Sequence, residues 1–162
     1  MAVTCEIRQI IAEDADAYVR EPALLIQAEQ TKREIEQEAA RKRRQTDPNS
    51  EWWEEPVIDD RVRHYDWIVL VKGIVSFSKI AHSLVVHGGQ PIGGLEESWQ
   101  LEANAKVLDV EQVVTVYQEL APVLVTWANE DFSGQTEMFE DFQKFLKEAT
   151  ETGKALLIFV GP

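Results

Sequence analysis

The sequence predicts an α+β fold, in which a small mixed sheet is packed by several helices within a single domain spanning residues 1–162. Two observations predict this class. Short alternating or apolar runs of strand length lie near both ends of the chain, and amphipathic segments with a helical period lie between them. A chain of 162 residues also suits one domain, in which roughly 70% of the unfolded chain's surface can be buried.

The N-terminal segments predict a strand followed by two helices. Residues 2–10 alternate apolar and polar side chains, which is typical of a half-buried strand. The acidic run at 13–16 can open a short helix, because carboxylates are favourable near a helix N-terminus. Pro22 suits the first turn of a long helix over 22–44, which is rich in Ala, Glu, Gln, Lys and Arg.

A loop is predicted over residues 45–60, because this segment holds six acids, two prolines and no base. Trp52 and Trp53 interrupt the acidic run. Large aromatic side chains in such a loop either anchor a binding partner or pin the loop onto the core. We favour pinning, and we keep both tryptophans as partner candidates.

The middle of the chain, residues 61–99, predicts a helix, a strand and a glycine-rich loop. Apolar side chains recur at helical spacing over 61–73, so we expect a helix capped by an aspartate at 59–60 and ended by Gly73. Its β-branched content favours a strand instead, and we prefer the helix. A short buried strand is expected at 83–87, leading into the loop at 88–94.

The C-terminal segments have the strongest local signals. Residues 106–108 predict a short strand, and Asp109 is expected to cap the helix that follows. Residues 137–152 place their apolar side chains on one face of a helix, and Gly153 is its expected C-cap. The apolar run at 154–160 has strand length and predicts the middle of the sheet.

The net charge of −13 is the strongest compositional feature. A negative field opposes binding to nucleic acid and to anionic membranes, but it favours a basic protein partner. The four cations at 41–44 complement the negative end of a helix dipole, so we do not assign them to nucleic acid. No apolar segment approaches 18 residues, so no membrane span is expected.

The redox and targeting features predict a cytoplasmic location. Cys5 is the single cysteine, so no internal disulfide can form, and this fits a reducing compartment. The N-terminal residues also lack the basic start and apolar run of a signal peptide.

The histidines are the first candidates for chemistry. A zinc site needs three or four ligands with defined geometry. His82 and His87 are an odd number apart, so in one strand they would face opposite sides. His64 and Asp66 are two apart, which a helix does not bring together. The spacing therefore predicts no metal site.

Cys5 and the glycine loop are the other candidates. A cysteine paired with a histidine could act as a nucleophile, but one within a strand is more typical of a small core residue. The loop at 88–94 has neither a GK[ST] ending nor a GxGxxG register. Its backbone N–H groups could still meet an anion, although we favour a structural turn. We therefore expect no cofactor and assign no catalytic residue.

The order of the segments also carries a resemblance to a known family. It rests on the N-terminal strand, the aromatic helix ending at Gly73, the segment at 87–93, the strand at 106–108 with the helix from Asp109, and the closing segments at 142–146 and 153–160. This order resembles the YfbM-like family of bacterial domains of unknown function. The resemblance implies a compact α+β fold and a bacterial cytosolic protein. It implies no established activity and no catalytic residues.

Two functional hypotheses follow. The first is a non-catalytic protein-binding module with a basic partner, of which an immunity-like role is one concrete version. The second is a small-molecule enzyme, hydrolase-like, that uses His64, Asp66 and His87 beside the glycine loop. It requires those groups to converge in one pocket. The candidate pocket or partner residues are His64, Asp66, His87, Gly88, Gly89, Trp52, Trp53 and Trp99. The sequence predicts no oligomeric state.

Overall fold

A computed structural model describes residues 3–49, 60–93, 104–123 and 133–161, which contain five strands and six helices. The strands are β1 (Thr4–Ile10), β2 (Val62–Asp66), β3 (Gln90–Ile92), β4 (Asn104–Leu108) and β5 (Ala155–Gly161). The helices are α1 (Ala12–Arg20), α2 (Pro22–Thr46), α3 (Trp67–Phe77), α4 (Lys79–Val86), α5 (Val110–Leu120) and α6 (Ser133–Glu151).

The five strands form one sheet with the order β2-β1-β5-β4-β3. The α+β class is confirmed, but every pairing is antiparallel, whereas we expected a mixed sheet. A parallel pair needs a crossover that returns the chain to the same end of the sheet. In the described residues, two helices lie between β1 and β2 and two between β4 and β5, and the strands of each of these pairs run in opposite directions.

Strand β5 is the middle strand, as its apolar sequence predicted. Leu156 and Ile158 point into the core beneath α3, α4, α5 and α6, and Leu157 and Phe159 point into the core beneath α1 and α2. Because helices cover both faces of the sheet, the side chains on both sides of this strand are apolar and do not alternate with polar ones. The residues 155–159 are each no more than 6% exposed.

Four helices occur where the sequence predicted them, namely α1, α2, α5 and α6. Helix α5 begins with a complete capping box. The N–H of Gln112 donates to Asp109 Oδ1 at 2.8 Å, and the N–H of Asp109 donates to Gln112 Oε1 at 3.0 Å. After α6, Gly153 takes the left-handed conformation, with a φ of 63°.

The helix expected over 61–73 is wrong at both ends. Residues 62–66 form β2, because Tyr65 pairs with Cys5 of β1 and extends the sheet. Helix α3 starts afterwards, where Asp66 Oδ1 accepts a hydrogen bond from the N–H of Val69 at 3.0 Å. Gly73 does not end it, since the helix continues to Phe77 with Gly73 buried inside.

The strand expected over 83–87 is also wrong, because these residues belong to α4 and its C-cap. Ser78 starts this helix by accepting a hydrogen bond from the N–H of Ala81 at 3.1 Å. The buried residues Ala81 and Val85 are four apart and share one helical face. Periodicity cannot separate a short buried strand from a short buried helix. The glycine loop in turn contains β3, which pairs with β4.

Some predicted features lie outside the described residues. These are Trp52, Trp53, Trp99 and most of the predicted loop at 45–60. Among the helices of the described ranges, none combines the length and the apolarity needed to cross a membrane.

Candidate partner-binding groove

The structure separates the residues that the enzyme hypothesis needs. His64 lies on β2, at one edge of the sheet, whereas His87 ends α4 immediately before β3, at the opposite edge. Asp66 is engaged as the N-cap of α3. His64, Asp66 and His87 therefore do not line a common pocket.

Each histidine has a local neighbour instead. His64 Nε2 lies 3.1 Å from Glu6 Oε1, and the His64 side chain is 70% exposed. The rings of His82 and His87 meet edge to face, with centroids 6.2 Å apart. In the part of the chain that the structure describes, no three His, Cys, Asp or Glu side chains are grouped so that they could hold a metal ion.

Gly88 and Gly89 form a tightly packed turn between α4 and β3. A Cβ on Gly88 would lie 2.7 Å from the carbonyl oxygen of Leu84. One on Gly89 would lie 2.7 Å from the carbonyl oxygen of Val107, and the φ of Gly89 is +82°. Both glycines are needed for close backbone approach.

The residue after the glycine pair, Gln90, does line a cavity. This first lobe has a volume of about 310 Å³ and lies between α1 and the start of α5. Its walls carry three carboxylates and no lysine or arginine. The residues lining it are Ala12, Ala15, Asp16, Val19, Gln90, Val107, Asp109, Val110, Glu111, Gln112 and Ala155.

A second lobe lies between α4 and α5 and has a volume of about 580 Å³. One wall is the exposed side of α4, where Ile80 is 56% exposed. The other wall is α5, and Asp109, Glu111 and Gln112 line both lobes. The two lobes therefore flank the first turn of α5. We refer to them together as the acidic groove.

The acidic groove combines an apolar floor with negative charge. In the first lobe Ala15, Val107 and Ala155 are buried beneath the exposed residues Asp16 and Glu111. The Asp109 carboxylate is partly used by the capping box, so it contributes charge while one oxygen stays bonded to the helix. A positively charged side chain with an apolar stem matches this arrangement.

Sequence reasoning missed the groove, although it noted both of its acidic parts. The acidic run at 13–16 and the cap Asp109 were each assigned to a helix start. They are separated by more than 90 positions, and they meet because β1, which precedes α1, and β4, which precedes α5, both pair with β5. No local pattern in the sequence predicts that these two segments lie close together in the fold.

A second polar cluster lies on the sheet face beneath α2. Arg8 of β1 binds both carboxylate oxygens of Glu29, with Nη2 to Oε2 at 3.0 Å, and its Nε donates to Glu6 at 2.6 Å. Burial alone would lower the pKa of Arg8. The hydrogen bonds and negative charges of Glu29 and Glu6 outweigh this effect, so the pKa of Arg8 lies above its ordinary value. The guanidinium also lies 4.9 Å from the centroid of the Phe159 ring. These charges satisfy one another, so the cluster is structural.

Three further ionisable groups, on Cys5, Lys106 and Tyr65, have pKa values shifted by burial. Burial raises the pKa of the Cys5 thiol to about 11, which disfavours the thiolate that a nucleophile needs. Burial lowers the pKa of Lys106 to about 8, and its Nζ donates to the carbonyl of Val85 at the end of α4. Burial and a 2.7 Å hydrogen bond to Asp141 together raise the pKa of Tyr65. None of these groups lines the acidic groove.

Comparison with known proteins gives no relative to which the groove can be matched. No family model, no curated protein and no solved structure matches the chain. The resemblance to the YfbM-like family therefore stays a prediction from the order of the segments.

Proposed function

We propose that this protein is a non-catalytic binding module that receives a basic protein partner in the acidic groove. The observation that carries the proposal is the first lobe, where three carboxylates and no cation surround an apolar floor. A lysine or arginine of the partner would place its stem on that floor and its charge between Asp16 and Glu111. The net charge of −13 would steer the partner towards the surface.

Neutralisation of a basic protein, as in an immunity-like role, is the concrete version of this function that we propose. Membership of the YfbM-like family and a bacterial, cytoplasmic setting belong to the same proposal, and the order of the segments supports them. The enzyme alternative has no comparable support, because His64 and His87 lie at opposite edges of the sheet.

The test compares two variants that lose the same charge. The groove variant combines Asp16→Asn with Glu111→Gln, and the control variant combines Glu36→Gln with Glu148→Gln, at exposed positions of α2 and α6. Each variant and the original chain would be immobilised and exposed to lysate of the native host at low salt. Mass spectrometry would then identify the retained proteins.

The proposal expects one or more basic proteins that the original chain and the control variant retain and the groove variant loses. Retention should fall as salt is added, because screening weakens contacts between exposed charges. If all three chains retain the same proteins, the groove is not the binding site. If no protein is retained at low salt in several growth conditions, the binding function itself is wrong.

A further inference from the structure

Helix α3 is apolar on its outer side as well as on its inner side. Its sequence, WIVLVKGIVSF, contains one charged residue, Lys72. The inner residues Leu70 and Ile74 are fully buried, yet Ile68 is 43% exposed and Val75 is 41% exposed. A helix with apolar side chains all round is ordinarily buried all round. The outer side of α3 is therefore a largely apolar surface that the described chain covers only in part.

The outer residues form one continuous stripe. They are Ile68, Val71, Lys72, Val75 and Ser76, at positions i, i+3, i+4, i+7 and i+8, and we name this stripe the outer α3 face. It contains no carboxylate. Indeed the chain has no Asp or Glu anywhere from residue 67 to residue 95, although it has 29 of them in total.

The negative net charge of the chain limits which partners can cover the outer α3 face. Two copies of a chain with a net charge of −13 repel each other at most orientations. The repulsion is smallest where a surface without carboxylates meets another such surface, and apolar contact there is favourable. We propose that the outer α3 face is an interface between two copies of this chain.

The spacing of the stripe is complementary to itself. If two α3 helices pack antiparallel about a two-fold axis between residues 71 and 72, Ile68 of each copy meets Val75 of the other. Such an interface forms the Ile68–Val75 contact twice. The stem of Lys72 then covers Val71 of the second copy. Its ammonium group, however, approaches the same group of the other copy near the axis.

These features specify a weak, reversible dimer. About three turns of helix bury much less than the roughly 1,200 Å² that stable interfaces reach, so the dimer should be populated only at high protein concentration. Added salt should strengthen it, because screening reduces the repulsion between the two copies. This salt response is opposite to that expected for a basic partner in the acidic groove, and the inference does not depend on that proposal.

Sedimentation equilibrium tests the dimer directly. We expect Lys72→Met to tighten dimerisation about tenfold, because it removes a like charge beside the axis and adds apolar contact. Ile68→Ser should abolish the dimer, whereas Ile35→Ser, at an isoleucine of α2 that is 64% exposed, should leave it unchanged. If the original chain and Lys72→Met both stay monomeric at about 1 M salt, the inference is wrong.

Cross-linking tests the antiparallel register. Ile68→Cys and Val75→Cys chains would be mixed under mild oxidation, with Cys5 unreactive because it is 2% exposed. The proposed geometry predicts disulfides between Ile68→Cys and Val75→Cys chains well in excess of those between identical chains. A mixed disulfide no more abundant than twice each disulfide between identical chains, which is the yield of random pairing, would overturn it. Binding of the monomer to anionic vesicles without any dimer would reassign the face to a membrane surface.

Discussion

Replacing Glu29 by leucine should lower the free energy of unfolding by about 3 kcal/mol. Glu29 is 7% exposed, and both of its carboxylate oxygens bind Arg8. Removing one partner of a buried ion pair costs about 3–5 kcal/mol, because the other charge stays buried without compensation. Glu6 remains on Arg8 Nε at 2.6 Å and retains part of that compensation, so we expect the lower end of the range.

A double variant separates the pair from the packing around it. Arg8→Met with Glu29→Leu removes both charges and keeps apolar volume, which is often close to neutral for a buried pair. It also loses the contact between the guanidinium and the Phe159 ring, worth about 0.5–1 kcal/mol. The double variant should therefore be at least about 2 kcal/mol more stable than the sum of the two single variants predicts, since Glu29→Leu alone costs about 3 kcal/mol.

Urea denaturation provides the measurement, with an unchanged m-value as the sign that the transition remains two-state. Glu36→Leu is the matched control, because it makes the same substitution at an exposed position of α2 and should change stability by less than about 0.5 kcal/mol. The reasoning fails if Glu29→Leu resembles this control. It fails equally if the effects of the two single substitutions on the free energy of unfolding are additive, since Arg8 and Glu29 would then not stabilise each other.

Two further predictions concern the edge of the sheet near β3. Gly89→Ala should cost about 2 kcal/mol in urea denaturation, because of the φ of +82° and the 2.7 Å approach to Val107, whereas Gly93→Ala, with nothing within 4 Å, should be close to neutral. The second prediction concerns pH. Burial lowers the pKa of Lys106 from 10.5 to about 8, so between these values the unfolded chain binds more protons and this residue's contribution to stability rises with pH. Urea denaturation across that range should show the original chain gaining stability relative to Lys106→Met, and a constant difference would contradict the assignment.

The segments that were predicted correctly carry their own local signals. Helix α5 has a capping box within its first four residues, and α6 has a regular apolar face that ends at a glycine with positive φ. Strand β5 is apolar on both sides, which is stable only where helices cover both faces of a sheet. In each case the chemistry that selects the structure lies within the segment itself.

The segments that were predicted wrongly depend on distant residues. Residues 62–66 contain helix-compatible apolar spacing, but pairing with β1 makes them a strand. Residues 83–86 have strand composition, but Ser78 caps a helix that places Ala81 and Val85 in the core. These runs are too short for periodicity to decide, so tertiary contacts determine the outcome.

The two candidate surfaces, the outer α3 face and the acidic groove, also differ in whether the sequence could predict them. The outer α3 face was within reach of the sequence, because an apolar helix without acids is visible in the residues themselves, although the bounds predicted for that helix, 61–73, were wrong at both ends. The acidic groove was not, since Asp16 and Asp109 come together through the order of the strands.

The two surfaces also explain how one acidic chain could bind both a basic partner and its own copy. Three carboxylates line the first lobe, whereas no carboxylate occurs from residue 67 to residue 95, so the two kinds of contact respond to salt in opposite directions. Helix α4 belongs to the acid-free stretch and also forms one wall of the second lobe. A basic partner that contacts Ile80 would therefore sit close to the end of α3 at Phe77. Partner binding that weakens self-association is the expected consequence, and sedimentation of the chain with and without a captured partner would measure it.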